Sequence, residues 1–242
     1  MAETNKTSPW VWVAVGCGGF LLVCVLGAVG LGFLGFRWAK GLEATLKDPV
    51  ARTDKVTGIL GCEELPEGYY AMVGMSIPFV MDLAVLTDVE PVDGEEPHDI
   101  DERSFIYLEM LSFGKQSQEL RDYFEGKTDN ASVLRQNNIN IRVDEIIKRG
   151  TIDRPNGNLL YLVQRGSLDA FGTDLDGYTA MILIDCPGDR RTRMGFWSGP
   201  DPSADRTGAS AEELTAGDLA GSPADEQAIR DFLSGFELCP AP

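Results

Sequence analysis

Few side chains in this sequence have the type and spacing to do chemistry. The single histidine, His98, stands between Pro97 and Asp99 in the stretch DVEPVDGEEPHDIDE. Any Ser–His or Cys–His mechanism would have to use it, and a catalytic imidazole needs an ordered partner and a fixed tautomer. A proline-flanked acidic loop supplies neither, so His98 reads as a solvated surface residue. H-E-x-x-H, C-x-x-C and a second histidine are all absent, which argues against the common zinc sites.

Carboxylates are plentiful, and oxygen ligands suit calcium. Two places qualify: the loop 88–102 and Asp174-Leu175-Asp176-Gly177. Threaded as an EF-hand loop with Gly177 at the sixth position, the latter puts Leu183 where a bidentate Glu is required. Asp174 and Asp176 therefore read as solvated carboxylates of a turn, with a weak calcium site as the alternative. Paired carboxylates also hydrolyse glycosides, but the sequence order does not say which acids face each other. No catalytic pair is named and no cofactor is implied.

Arg190, Arg191 and Arg193 follow the turn Pro187-Gly188-Asp189, and Arg191, Arg193 and Trp197 share one face of the next strand. Cations beside an aromatic ring form a recognition surface for a protein partner. The competing reading is a charged hairpin tip that protects an edge strand. Cys62, Cys186 and Cys239 allow one bridge. Cys62 opens the domain and Cys239 nearly closes it, and domain termini tend to lie together, so the expected pair is Cys62–Cys239, with reduced thiols as the alternative.

The elements that carry these residues follow a long membrane signal. Trp10 to Phe36 runs for 27 positions without a charge. A bilayer core needs about 20 apolar residues as a helix, and a signal-peptide core has about 7–15. The expected order is a tail 1–9, a transmembrane helix 10–36 embedded in the lipid bilayer, a stalk 37–55 ending its helix near Pro49, and a domain 56–239. Arg37, Lys40, Lys47, Arg52 and Lys55 outnumber Lys6 across the span, which by the positive-inside rule places the domain in the cytoplasm. The cysteines keep a periplasmic or extracellular domain open as the alternative.

From residue 56 onward the chain holds 15 Lys+Arg and 34 Asp+Glu, a net charge of −19. Such a domain is repelled by phosphate backbones, which argues against nucleic-acid binding. Alternating apolar residues predict strands from Tyr69, over Phe79–Leu86, Phe105–Leu111, Ile139–Ile152, Leu159–Val163, Tyr178–Asp185 and Arg190–Trp197. The acidic loop 88–102 and the Gly/Pro/Ser-rich stretch 199–222 read as solvated. A last helix is expected with Ser222 as N-cap and Pro223 in its first turn, and Ile229, Phe232, Leu233 and Phe236 on one face. About seven strands joined by hairpins, with two or three helices, predict an α+β fold with a mostly antiparallel sheet.

LPEGYYAMVGMSIPF, that sheet and the terminal DEQAIRDFLSGF helix resemble the bacterial membrane-anchored proteins of the PsbP/DcrB-like fold group. The resemblance spans roughly residues 56–239. It implies an α+β sandwich with an accessory, non-catalytic role and carries no active-site residues. The leading expectation is a membrane-anchored accessory protein that binds a protein partner. A small-ligand or calcium-binding domain comes second, and a hydrolase with a carboxylate site third.

Overall fold

The computed structural model describes residues 47–92, 103–111, 115–136, 141–170, 173–200 and 219–239. The tail 1–9, the uncharged run 10–36, His98 with most of its acidic loop, and residues 201–218 lie outside the described residues. Among the described residues, no helix is long and apolar enough to cross a membrane.

The α+β class is seen as one seven-stranded antiparallel sheet. Strands β1 (Tyr70–Ile77), β2 (Met81–Thr87) and β3 (Ser104–Leu111) form one meander. Strands β4 (Ile141–Arg154), β5 (Gly157–Ala170), β6 (Thr173–Asp185) and β7 (Arg191–Gly199) form another. The sheet order is β1-β2-β3-β7-β6-β5-β4, so the meanders join where β7 pairs with β3, Phe196 opposite Ile106. The uninterrupted apolar runs of β5 and β6 have a simple cause: both faces are covered. Tyr161, Val163, Tyr178 and Ile182 enter one core, and Leu160, Leu162, Met181 and Leu183 the other.

Four helices are described, more than the two or three expected: α1 (Pro49–Leu60), α2 (Lys115–Phe124), α3 (Ser132–Gln136) and α4 (Glu226–Leu233). α1 and α4 contribute to the first core, α2 and α3 to the second. Pro49 starts a helix rather than ending one. Asp48 is the N-cap, accepting from the Val50 and Ala51 amides at 3.0 and 3.3 Å, and proline is tolerated in the first turn because its missing N–H had no helical partner there. Arg52, Val56 and Leu60 are buried, so the expected boundary between stalk and domain at 55/56 runs through a packed helix.

The last helix begins later than expected. Asp225 is its N-cap, accepting from the Gln227 amide at 3.0 Å. Ser222 instead closes a separate turn, donating to the Leu219 carbonyl at 2.6 Å and accepting from Ala224 N at 3.2 Å. Glu226, the first residue of α4, accepts from Tyr161 Oη at 2.5 Å, Lys148 Nζ at 3.1 Å and Arg230 Nη2 at 2.7 Å, tying the helix to β4 and β5. Tyr161 reaches this position across Gly150, where an added Cβ would lie 2.4 Å from the phenol oxygen.

The Tyr161 hydroxyl, then Arg230 and Lys148, hold the Glu226 carboxyl down to about 2, against an ordinary 4.5. A depressed carboxylate stabilises the fold fully above its unfolded value and loses that contribution as pH falls from about 4.5 towards 2. Glu226 is about one-third exposed, so screening leaves about 1 kcal/mol. Glu226→Gln is expected to unfold that much more easily at pH 6 and to match the wild type near pH 2 in acid-series denaturation.

The cysteine pairing differs from expectation. Cys239 bonds to Cys186, with Cα atoms 5.5 Å apart, and Cys62 is free. The chain leaving α4 passes Gly61, where Glu237 N donates to its carbonyl at 3.2 Å, and reaches the end of β6. There the Cys239 sulfur lies against Gly157, whose added Cβ would approach it to 2.9 Å. Gly61 closes α1 with a left-handed cap at φ +64, and Cys62 follows that turn as a half-buried thiol whose pKa is pushed up by burial.

Candidate functional site

β3 and β7 together decide what becomes of the arginines. As expected, Arg191, Arg193 and Trp197 share a face of β7, but they do not make a surface. Trp197 is buried, its indole donating to Tyr69 Oη at 2.7 Å and stacking on Phe232 at 4.5 Å between centroids. The Arg193 side chain is 4% exposed. Its Nε donates to Glu109 Oε2 at 2.9 Å and its Nη2 to Asp189 Oδ2 at 2.6 Å. Tyr107 Oη also donates to Glu109 at 3.0 Å, and Arg191, the one exposed member of the predicted trio, pairs with the same carboxylate.

The register explains the cluster: Glu109 lies directly opposite Arg193. Burial pushes the Glu109 carboxyl up, but bonds from Arg191, the Arg193 charge and the Tyr107 hydroxyl outweigh it and hold the group below its ordinary value. Burial, with the Glu109 charge, pushes the Tyr107 phenol far up. The cluster is a neutralised internal brace for the hairpin. A lone charge in the apolar strand FIYLEML was its available sequence signal.

Asp174 and Asp176 lie within β6, not in a turn, opposite Asp169 and Ser167 of β5. The Asp174 side chain lies outside the description. Asp176 is exposed and accepts from Arg142 Nη2 at 3.3 Å. Among the described residues no group of three His, Cys, Asp or Glu is placed to hold a metal ion.

A cavity of about 580 Å³ lies between α2 and the β6–β7 hairpin, lined by Ser117, Arg121, Asp185, Asp189, Arg190 and Thr192. Its two carboxylates are engaged: Asp185 with Arg121 at 2.5 Å, and Asp189 with Arg193. Both are thus ion-paired, which leaves neither as a free general base.

The exposed feature at this end of the sheet is apolar. Phe79 is 90% exposed, Val80 55% and Leu111 49%. Val80 N donates to the Ile77 carbonyl at 3.0 Å, closing a tight turn with Pro78 second and Phe79 third. The Phe79 φ of +64 matches the third position of a type II turn, which normally takes Gly or Asn. A bulky residue there costs about 1–2 kcal/mol in backbone energy. The tip forms one side of a cleft of about 280 Å³, lined also by Ile77, Met81, Met110, Leu111 and Arg191. Sequence reasoning ran Phe79 and Val80 into the strand. The signal was Pro78 followed by apolar residues at a point where two strands must reverse.

With 90% of Phe79 in solvent, the fold gains little from its ring. Phe79→Gly is expected to stabilise the protein by about 1 kcal/mol by releasing the left-handed strain, measurable as a raised melting temperature. A lowered one would mean that the ring packs.

Comparison with protein-family models, with curated proteins and with solved structures finds no match for this chain.

Proposed function

We propose that this chain is a single-pass membrane-anchored accessory protein whose acidic α+β domain binds a partner protein through the apolar end of its sheet. The observation that carries this reading is Phe79, held in solvent by a turn that its own side chain disfavours. Backbone strain of this kind clusters at functional sites. Together with Phe79, the surrounding Met81, Met110 and Arg191 have the aromatic, methionine and arginine bias of protein interfaces. The run Trp10–Phe36 is the anchor.

The domain lies on the oxidising side of the membrane in this proposal. Support comes from the Cys186–Cys239 bridge, since such bonds persist in secretory and envelope compartments. This outweighs the bias of the flanking cations. An impermeant thiol reagent on intact cells is expected to label Cys186 and Cys239 only after reduction. Labelling that requires lysis would return the domain to the cytoplasm.

The partner reading is tested with a photo-crosslinking amino acid placed singly at positions 79, 111 and 50 of the full chain in native membranes. Val50 is 69% exposed in α1 and serves as the control. Discrete protein adducts from 79 and 111, absent from 50, are expected. Equal yields at all three positions would defeat the reading.

A further inference from the structure

We infer that the partner of this apolar end is a second copy of the same chain, the two tips meeting about a two-fold axis with each Phe79 ring in the other's cleft. The inference rests on the docking role given above to this end of the sheet.

Three observations point to a copy rather than an unrelated protein. The first is shape. Phe79 stands 90% exposed as one wall of the cleft, and Ile77, Met81, Met110 and Leu111 form the rest of its apolar lining. A two-fold contact uses the same patch on both partners, so it needs a knob and a matching hole side by side. This patch presents both.

The second is charge. Two domains of net −19 repel each other over most approaches. The tip residues Ile77–Met81 carry no charge, nor do Met110 and Leu111. The ionised groups of the cleft are Asp82, Glu109 and Arg191, and Glu109 and Arg191 already neutralise each other. Contact here brings together little like charge, Asp82 being the one carboxylate of the cleft outside that pair.

The third is size. Phe79, Val80 and Leu111 offer only a few side chains per copy, well short of the roughly 1,000 Å² that a stable free interface requires. A contact this small serves where its partners are already confined. A single span holds copies in one plane and raises their effective concentration. The same span carries small-residue spacings at Ala14/Gly18 and Ala28/Gly32 that let helices approach.

The test uses the full chain reconstituted in phosphatidylcholine vesicles at two lipid-to-protein ratios, with the photo-crosslinker at position 111. The readout is the fraction recovered at twice the 26.4 kDa chain mass, identified by mass spectrometry. Phe79→Gly removes the knob, and Leu111→Glu, read with the crosslinker moved to position 80, puts a like charge in each hole. Thermal unfolding confirms that both variants are folded. Each is expected to lower the dimer fraction by at least about tenfold, the loss of a central interface residue. A wild type without dimer adducts, or a dimer fraction unchanged by Phe79→Gly because the span alone holds the copies, would overturn the inference. The native-membrane crosslink at position 79 separates the two claims. Adducts to a different protein would overturn the second copy and leave partner binding standing. Adducts only to lipid, or none, would overturn both.

Discussion

Replacing Cys239 with serine is expected to lower the stability of the domain by about 4 kcal/mol, the largest single effect foreseen here. The Cys186–Cys239 bond closes a loop of 53 residues in sequence, and the chain-entropy relation for such a loop gives about 4 kcal/mol at 25 °C. The loop also contains β7, the strand that joins the two meanders, and α4, whose Ile229 and Leu233 are fully buried. Freeing the last residues therefore loosens the cover of one core as well as the hairpin beneath it. Urea unfolding of the full-length protein in detergent, followed by near-ultraviolet circular dichroism, reports Trp197 stacked on Phe232. Cys186→Ser should lose as much, and the double variant no more than either, because one bond is at stake. Cys62→Ser should stay within about 0.5 kcal/mol of the wild type. A large loss from Cys62→Ser together with none from Cys239→Ser would contradict the pairing.

Glu109→Leu ranks next, with an expected loss of about 3–4 kcal/mol. The Arg193 guanidinium, 4% exposed, would keep only Asp189. Removing one member of a buried pair strands the other charge in a medium that solvates it poorly, which costs about 3–5 kcal/mol. Taking both charges away removes that penalty. The double variant Glu109→Leu/Arg193→Met is therefore expected to recover most of the loss, and a double-mutant cycle measures the difference. The sign of the pH dependence follows from the lowered Glu109 pKa. Its contribution is present above the ordinary carboxylate value of 4.5 and fades as pH falls below it. The gap between wild type and Glu109→Leu should narrow in acid.

The strands were legible because alternation and apolar runs are local signals. The run Tyr70–Ile77 of β1, and the Pro187-Gly188-Asp189 turn before β7, needed no knowledge of neighbours, although a bulge between Ala71 and Val73 sends those two residues to opposite cores. The sheet order was not legible, since β3 meets β7 across about 90 residues and only the packed result shows it. Local signals also misled where one residue type serves two purposes. Proline ends helices and also begins them, and Asp48 ahead of Pro49 decides for the beginning. Asp174 and Asp176 suggested a turn because carboxylates favour solvent. A strand position satisfies Asp176 equally well, exposed on β6 and paired with Arg142. Arg191 and Arg193 were rightly placed on one face, but the burial of Arg193 depended on Glu109 arriving from a distant strand, which no spacing within β7 reveals. The apolar tip went unseen for the opposite reason: Phe79 breaks the turn rule that would have marked it.

The position of β7 between β3 and β6 has a consequence for how the protein is made. Synthesis produces β1, β2 and β3 first, yet their sheet partner β7 emerges only after β4, β5 and β6, and the bridging Cys239 later still. A nascent chain that stops short of Arg191 has two unjoined meanders and an unpaired β3 edge, a species prone to aggregate. The complete sheet must therefore wait for β7 to be made. Until β7 emerges, the open β3 edge is the part of the nascent chain that a chaperone would have to shield.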